Sequence, residues 1–464
     1  MSRQHPPILI LMTDQQRADT MGCAGHPVIQ TPNMDRLATE GMRFTNACTV
    51  SPVCMPARAS FINGLYPHNH GMWSNYGQMP AEDETFFHHL QAVGYFTAHV
   101  GKSHYYVHRG QHLREHEDYM HARGLSYVHE TTGPFATVRT ESYMTDHWRE
   151  LGLLDAFRED YGRRREVGAR AVWPSPLPVE ESMDSYIGRK AVEFIETYDG
   201  DQPVCLFVGF GGPHNPWDAP GEYATMYDPA DCPPPIPPED PGEWVPPRAA
   251  ERMRRGRVTE LTEADFRALR ANYYGKITLI DQWFGEILSA FEQKGWLDDA
   301  LIVFWSDHGE MAGDHGRLHK SVFYASSLNV PLIVRWPGHI QGGRTSDALT
   351  ENIDVYPTLL EAVGAEPSTR CFGRSLWPVL SDPSVSHRDA VFSEIGKDER
   401  FTMIRTDRYK YALDNTGEGY LLYNMVEDPQ EQRNLIGHPG MEEVEEKLRD
   451  RILRFLLQTP CRLE

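Results

Sequence analysis

The sequence lacks the features that would associate it with a membrane or with nucleic acid. Among its 464 residues, no stretch approaches the roughly 20 consecutive apolar residues that a membrane-spanning helix requires. Basic residues are also scarce, since 45 Lys and Arg stand against 66 Asp and Glu and give a formal net charge of −21. This charge disfavours a phosphate backbone or an anionic lipid surface as the main partner. We therefore expect neither nucleic acid nor a membrane as a partner.

Cysteine is sparse and scattered along the chain. The seven cysteines are odd in number and form no Cys-x-x-Cys pair, which argues against a disulfide framework or a zinc knuckle. Residues 1–7 are polar and the first apolar run, residues 8–12, is too short for a signal peptide. We therefore expect a protein of a reducing compartment, with a cytoplasmic location.

The sequence does contain short apolar runs that alternate with amphipathic segments. Strands are predicted at residues 8–13, 42–47, 96–100, 203–209, 300–306 and 329–335, and helices at residues 33–41, 85–93, 184–197 and 262–294. This alternation predicts an α/β fold with a mostly parallel, doubly wound sheet. Residues 105–182 lack clear periodicity and are expected to form an irregular insertion. The proline-rich residues 228–247 are expected to be an extended surface segment.

The pattern changes at about residue 386. Four short strands are predicted at residues 390–395, 401–405, 409–413 and 420–423, before a helix at residues 441–457. The strands are joined by turns, which is typical of an antiparallel sheet. We therefore predict a large α/β domain over residues 1–385 and a smaller C-terminal α+β subdomain over residues 386–464.

Polar side chains follow two of the predicted buried strands. Asp14 and Gln15 come directly after the first strand, and Asp307 and His308 follow the strand at residues 300–306. Ligands bind at the carboxyl ends of the strands in open α/β sheets. Three oxygen donors and an imidazole suit a divalent cation, and the imidazole widens the choice toward Mn²⁺ or Zn²⁺. Helix capping is the alternative for either Asp alone.

Cys54 lies where the chain enters a predicted helix that begins near Pro56. A helix N-terminus favours anions, because its free N–H groups point outward. Arg58 follows Cys54 by one turn and lies on the same face, where it can pair with a charge at Cys54 or on a neighbouring carboxylate. The alternative is a small buried thiol that has no chemical role.

Cations and imidazoles follow other strands. Lys102 and His104 follow one strand, His214 follows another, and Lys320 lies 13 residues after Asp307. Two cations and two imidazoles around a metal would form a pocket for a tetrahedral oxyanion ester, with acid–base groups on both sides. A solvated surface position is the alternative for each of them singly.

Longer motifs surround these residues. They read SPVCMPARASFINGLYPHNHG at residues 51–71, GKSHYY at 101–106, PHNPW at 213–217, SDHGEMAGDHG at 306–316, VPLIVRWPG at 330–338 and YLLYNMVEDPQEQRNL at 420–435. On these motifs, nearly the whole sequence resembles the formylglycine-dependent sulfatases of the alkaline phosphatase superfamily. The most specific part is the Cys-x-Pro-x-Arg order that begins at Cys54.

The resemblance implies an alkaline-phosphatase-like fold and the hydrolysis of a small-molecule sulfate ester. It implies that a formylglycine-generating maturation enzyme oxidises Cys54 to Cα-formylglycine. A hydroxyl of the hydrated aldehyde would attack sulfur, and the second hydroxyl would then expel sulfate. One divalent metal is implied, with Ca²⁺ as the first choice and Mn²⁺ as the alternative. Its implied ligands are Asp14, Gln15, Cys54, Asp307 and His308.

The resemblance also implies roles for the surrounding residues. Arg58 would steady the formylglycine, and Lys102 and Lys320 would hold sulfate oxygens. His214 or Lys320 would protonate the leaving oxygen, and His104 would accept the proton that allows sulfate to leave. Residue 54 and these five residues are the predicted catalytic set.

The substrate is less constrained than the chemistry. Many sulfatases have Asp-Asp in place of Asp14-Gln15 and Asp-Asn in place of Asp307-His308, and the Gln and His variants resemble choline-sulfatases and phosphonate monoester hydrolases. Asn75 aligns loosely with an active-site Asn of the latter. A phosphonate monoester or phosphodiester hydrolase on the same scaffold is therefore the alternative function. An inactive binding protein of this fold is a second alternative.

The alcohol part of the substrate is open. The predicted substrate-binding residues are Trp73, Asn75, Lys102, His214, Trp217 and Lys320. Aromatic walls suit an aryl group, a sugar or a quaternary ammonium group equally. The sequence also leaves the formation of a homo-oligomer open.

Overall fold

The computed structural model describes residues 5–396 and 399–460. Its strands, in chain order, are β1 (Ile8–Asp14), β2 (Met42–Phe44), β3 (Ala47–Cys48), β4 (Phe96–Lys102), β5 (Tyr127–Thr131), β6 (Val204–Pro213), β7 (Leu301–Ser306), β8 (Leu332–Arg335), β9 (Arg344–Ser346), β10 (Thr350–Glu351), β11 (Val391–Ile395), β12 (Phe401–Arg405), β13 (Tyr409–Asp414) and β14 (Gly419–Asn424).

The α-helices are α1 (Pro32–Glu40), α2 (Cys54–Asn63), α3 (Pro67–His70), α4 (Phe86–Ala92), α5 (Glu117–His121), α6 (Pro134–Thr137), α7 (Tyr143–Glu150), α8 (Leu154–Val167), α9 (Met183–Thr197), α10 (Pro247–Arg254), α11 (Glu263–Gln293), α12 (Ala325–Leu328), α13 (Val355–Ala362), α14 (Trp377–Ser381) and α15 (Glu442–Gln458). Short 3₁₀ turns lie at Gly22–Ala24, Leu113–His116, Gly168–Arg170, Val179–Glu181, Gly221–Ala224, Leu297–Asp299, Asp314–Gly316 and Asn352–Asp354.

An eight-stranded sheet forms the centre of the fold, in the order β5-β4-β6-β1-β7-β8-β2-β9. β1 pairs in parallel with both β6 and β7, and β4 pairs in parallel with β5 and β6. β8 runs antiparallel to β7 and β2. The prediction of a mostly parallel α/β sheet is therefore confirmed, with β8 as the reversed strand.

Both faces of this sheet are covered, which explains why its strands read as continuous apolar runs. Ile8 and Ile10 of β1 face one core, where the ring of Phe61 from α2 stacks on Trp305 with 3.9 Å between ring centroids. Leu9 and Leu11 face the opposite core, which α9 and α11 cover. Alternate residues of one strand thus join the two layers of helices.

A second, smaller sheet follows near the C-terminus. Strands β11, β12, β13 and β14 pair in sequence order and antiparallel, and α15 packs on them. The predicted antiparallel sheet with its terminal helix is confirmed. The boundary between residues 385 and 386 remains a prediction.

The prediction for residues 105–182 is wrong in part. This segment contains α5, α6, α7 and the 14-residue α8, and it also supplies β5, the edge strand of the main sheet. Helix α8 buries only a narrow stripe, which includes Arg164 beside Leu154, Phe157 and Tyr161. A buried arginine among many charged neighbours hides the apolar period on which the prediction depended.

Between Ala224 and Pro247 the described chain forms neither helix nor strand, in agreement with its many prolines. Within the described ranges, no helix is both long and apolar enough to cross a membrane.

Candidate active site

The site begins at the carboxyl ends of two neighbouring parallel strands. Asp14 is the last residue of β1, and Asp307 directly follows β7. Gln15 turns away from β1 with φ of 71°, and its backbone N–H donates to Asp307 Oδ1 at 3.0 Å. The parallel register of β1 and β7 therefore brings two acidic side chains together inside the protein.

Helix α2 points its first turn at these carboxylates. Cys54 is its first residue, and Arg58 lies one turn later. The guanidinium of Arg58 donates through Nε to Asp307 Oδ2 at 2.7 Å and through Nη2 to Asp14 Oδ2 at 2.9 Å. Its Nη1 donates to the backbone oxygen of Lys102 at 2.8 Å. One buried cation thus fixes three separate elements, β1, β4 and β7, around the start of α2.

The thiol of Cys54 is 1% exposed and lies at the centre of the site. Its Sγ lies 3.1 Å from His308 Nε2, and Lys320 Nζ donates to it at 3.3 Å. Burial alone would raise the pKa of Cys54, but Lys320 and Lys102 outweigh burial and hold this pKa well below its usual value. The surroundings therefore stabilise negative charge at residue 54.

Four side chains around this point fit a divalent cation. Ligand atoms of Asp14, Cys54, Asp307 and His308 all lie within 4.8 Å of one another, and all four residues are buried. His308 Nδ1 donates to the backbone oxygen of Gly309 at 3.0 Å, so Nε2 is the ring nitrogen that faces the site. Two carboxylates and an imidazole form a donor set suited to Ca²⁺ or Mn²⁺.

Two lysines also point into the site. Lys102, the last residue of β4, donates to Asp14 Oδ2, and Lys320 donates to Gln15 Oε1. Burial would raise the pKa of Asp14, but the charges of Lys102 and Arg58 outweigh it and lower this pKa. Asp14 is therefore ionised and available as an oxygen ligand.

Two imidazoles complete the surroundings of Cys54. His104 and His214 both lie beside Cys54 and interact with it electrostatically. Burial lowers the pKa of His104 to about 3, and burial together with Lys320 lowers that of His214. Both rings are therefore neutral near pH 7 and can accept a proton.

The backbone at the end of β4 explains how His104 enters the site. Gly101 has φ of 99°, and a Cβ there would lie 2.1 Å from the backbone oxygen of Gly209. His104 itself has φ of 59°, an uncommon conformation for a residue with a side chain. The chain therefore turns sharply at this point and directs His104 at Cys54.

Comparison with known proteins identifies the family. A family model described as sulfatase matches residues 6–365, and one described as N-sulphoglucosamine sulphohydrolase, C-terminal, matches residues 313–458. The chain belongs to the sulfatase family. It is therefore an enzyme, a hydrolase of the alkaline phosphatase superfamily. The sulfatase family generally uses a divalent metal and a formylglycine.

Individual relatives of this sulfatase cover both chemistries named above. The chain is 29% identical to the multifunctional alkaline phosphatase superfamily protein PehA of Trinickia caryophylli, over 93% of this chain and 91% of that protein. It is 28% identical to an arylsulfatase of Clostridium perfringens, over 97% and 94%. It also resembles the crystal structure of a phosphonate monoester hydrolase of Agrobacterium radiobacter, with 25% identity, a TM-score of 0.79, and coverage of 98% and 96%.

The other predicted substrate-binding residues lie at different depths in this sulfatase. Asn75 Oδ1 accepts a hydrogen bond from the Met55 backbone N–H at 3.0 Å, beside Cys54. Trp73 is half-buried, and the Arg400 guanidinium stacks over its ring at 4.4 Å. Trp217 is buried in the apolar core, and its ring lies parallel to that of His319 at 6.4 Å. Of the two aromatic residues, Trp73 is the more exposed.

Sequence reasoning missed Glu310. This buried carboxylate accepts a hydrogen bond from Gln15 Nε2 and two from the backbone N–H groups of Ala312 and His319. It thereby fixes which end of the Gln15 amide faces the site and leaves Oε1 for Lys320. Its place two residues after His308 was the available signal.

A second missed cluster lies behind His104. Glu130 of β5 accepts hydrogen bonds from Ser103 and from the Tyr106 hydroxyl, the latter at 2.5 Å, and His108 Nε2 lies 3.2 Å from it. The ring of His108 is 5.1 Å from that of His104. Since β5 lies in the segment predicted to be irregular, no sequence pattern pointed to Glu130.

Proposed function

We propose that this sulfatase hydrolyses a small-molecule sulfate monoester to an alcohol and sulfate, with Cys54 as the precursor of Cα-formylglycine. The observation that carries the proposal is the convergence on Cys54 of His308 at 3.1 Å and Lys320 at 3.3 Å. A maturation enzyme that generates formylglycine is the partner that this function requires.

Asp14, Gln15, Asp307 and His308, together with residue 54, would hold one divalent cation, Ca²⁺ in the first place or Mn²⁺. When present, the cation supplies a Lewis acid and formylglycine supplies a hydrated aldehyde as nucleophile. Arg58 holds the second oxygen of each Asp, so that the two carboxylates stay oriented.

The remaining side chains bind the sulfate oxygens and transfer the protons. Lys102 and Lys320 are ammonium groups that can bind sulfate oxygens as negative charge develops on them. His104, neutral at working pH because burial lowers its pKa to about 3, accepts the proton whose removal permits sulfate release. Lys320, as an ammonium group, donates the proton that the departing alcohol oxygen needs, since His214 is neutral near pH 7 and would first have to take up a proton.

A phosphonate monoester or phosphodiester hydrolase on the same scaffold is the second candidate. It is supported by the presence of Gln15 and His308 and by the likeness to the phosphonate monoester hydrolase of Agrobacterium radiobacter. Sulfate and phosphonate esters share tetrahedral geometry and differ in charge, so the same cations can bind either group.

A substrate panel separates the two candidates. Protein produced together with a formylglycine-generating enzyme is assayed on 4-nitrophenyl sulfate, 4-nitrophenyl phenylphosphonate and bis(4-nitrophenyl) phosphate. We expect the highest kcat/KM on the sulfate ester, and Cys54→Ala is the blank for all three. A higher kcat/KM on either phosphorus ester would replace the first candidate with the second.

A further inference from the structure

A cavity of about 410 Å³ opens beside Lys320. Its walls come from α10, from residues 317–324 and from strands of the C-terminal sheet, and they include Arg252, Arg255, Arg317, Tyr324, Phe401 and Tyr420. Lys320 belongs to this wall and also donates to Cys54 Sγ. The cavity therefore adjoins the reacting centre and is large enough for one or two rings.

Arg317 is a buried cation on this wall. It is 6% exposed, and its two terminal nitrogens donate to the backbone oxygens of Arg255 and Met253, each at 2.6 Å. Its Nε is buried without a hydrogen-bond partner, and among the described residues no carboxylate pairs with it. A buried charge without a counter-ion is costly, so a bound anion would compensate it.

Arg255 adds a second uncompensated charge. Its side chain is exposed, and within residues 5–396 and 399–460 the guanidinium makes no hydrogen bond or ion pair. Arg252 differs, because Asp414 lies 2.9 Å and Glu399 3.8 Å from it. Arg255, Arg317 and Lys320 thus make this wall cationic in a protein whose formal net charge is −21.

Another part of the wall is aromatic. Phe401 and Tyr420 line the cavity, and the Arg252 guanidinium stacks over their rings at 4.8 and 5.7 Å. A ring can pack on this surface while a charged substituent on it reaches the arginines. The cavity therefore combines a ring-binding surface with an anion-binding one.

We propose that this cavity receives the alcohol part of the ester, and that this alcohol carries an anionic substituent, a carboxylate or a second sulfate, which pairs with Arg317 and Arg255. The inference rests on the proposed hydrolysis of an ester at Cys54. It narrows the substrate class from any sulfate ester to one whose alcohol part carries an anionic substituent.

The test compares two esters that differ in one charge, 4-carboxyphenyl sulfate and 4-carbamoylphenyl sulfate. We expect kcat/KM to be about tenfold higher for the carboxylate ester, since a charged partner in a desolvated site contributes roughly this much. Arg255→Gln should lower the ratio of the two kcat/KM values several times. It should leave the protein folded, because the side chain is exposed. Arg317→Gln should bring the ratio close to one.

Arg408→Gln is the matched control, because Arg408 is an exposed arginine paired only with exposed Glu427 at 3.4 Å. It should leave the ratio unchanged. Equal kcat/KM for the two esters would overturn the acidic subsite but leave sulfate hydrolysis intact. If neither ester is cleaved, the proposed function fails, and the subsite is then judged by binding of the alcohols. Tighter binding of 4-hydroxybenzoate than of 4-hydroxybenzamide supports the subsite, and equal binding overturns it.

Discussion

On one side of Cys54 every charged group has a fixed partner, whereas on the other side charges face a cavity. The strand side consists of Asp14, Arg58, Asp307 and His308, which are at most 1% exposed. The cavity side consists of Arg317 and Arg255, which lie on a loop and at a helix end, and Lys320 lies between the two sides. Next to Lys320, the His319 side chain is 48% exposed.

The two sides differ in what a substitution can change. Each group of the strand side is held by several buried hydrogen bonds, so its removal leaves another buried charge unpaired. The cavity side contacts the part of the substrate that varies, and its cations can be exchanged without unfolding the sheet. We conclude that the strand side determines the reaction and the cavity side determines the substrate.

The largest expected effect comes from Cys54→Ala. This change removes the thiol that must be oxidised to give the aldehyde, so no nucleophile forms and kcat should fall by at least about 10⁴-fold. Circular dichroism and thermal unfolding should show an unchanged fold, because only a thiol is removed. Cys205→Ala is the control, since Cys205 is a buried thiol in β6 outside the site. Activity of Cys54→Ala above one per cent would contradict the role given to residue 54.

His104→Ala tests whether the reaction at residue 54 proceeds in two steps, attack and release. Attack should remain while release slows, so rapid mixing should show a burst of alcohol equal to the enzyme concentration. The steady rate after it should be about 10²–10⁴-fold below wild type, the usual contribution of an acid–base group. His339→Ala, an exposed imidazole that stacks on Trp336, should leave the kinetics unchanged. A slow rate without a burst would show that His104 acts before release.

Arg58→Met tests the strand side through stability. The guanidinium compensates Asp14 and Asp307, and its loss leaves Asp307 without its arginine and Asp14 with Lys102 as its remaining cation. We expect the free energy of unfolding to fall by about 3–5 kcal/mol, measured with urea in EDTA. The same change at exposed Arg408 should cost less than about 0.5 kcal/mol. Equal costs would contradict the structural role given to Arg58.

Addition of the metal should raise the free energy of unfolding, by less than the loss of Arg58 lowers it. Protein dialysed against EDTA should gain about 2.7 kcal/mol of stability at 100 times the Kd of Ca²⁺ or Mn²⁺, seen as a rise in Tm. Asp307→Asn should abolish this rise, because it removes a charge from the cluster of potential ligands. Asp407→Asn, at an exposed turn, should preserve it. A wild-type protein whose Tm is unchanged by both Ca²⁺ and Mn²⁺ would contradict the metal site.

The strand side was predictable because its geometry follows from local pattern. An apolar run that ends in Asp14 and another that ends before Asp307 reach one sheet edge whenever both strands are parallel neighbours, as β1 and β7 are. The spacing of Cys54 and Arg58 follows from one helical turn. The reversed direction of β8 did not follow, because an apolar run reads the same in either direction.

The cavity side could not be predicted, because it is made by contacts between distant segments. Arg317 donates to the backbone of Met253, 64 residues away. Neither Arg255 nor Arg317 belongs to a motif or to a periodic pattern. These two arginines stand out because no carboxylate among the described residues pairs with them, and no local sequence pattern reveals such an absence.

The most direct test of the central claim is the mass of the tryptic peptide 44–58 from active enzyme. We predict that residue 54 is found with its sulfur and two hydrogens replaced by one oxygen, the composition of Cα-formylglycine, and that kcat on 4-nitrophenyl sulfate rises in proportion to the converted fraction. A fully active enzyme whose residue 54 is an unmodified thiol would contradict the account.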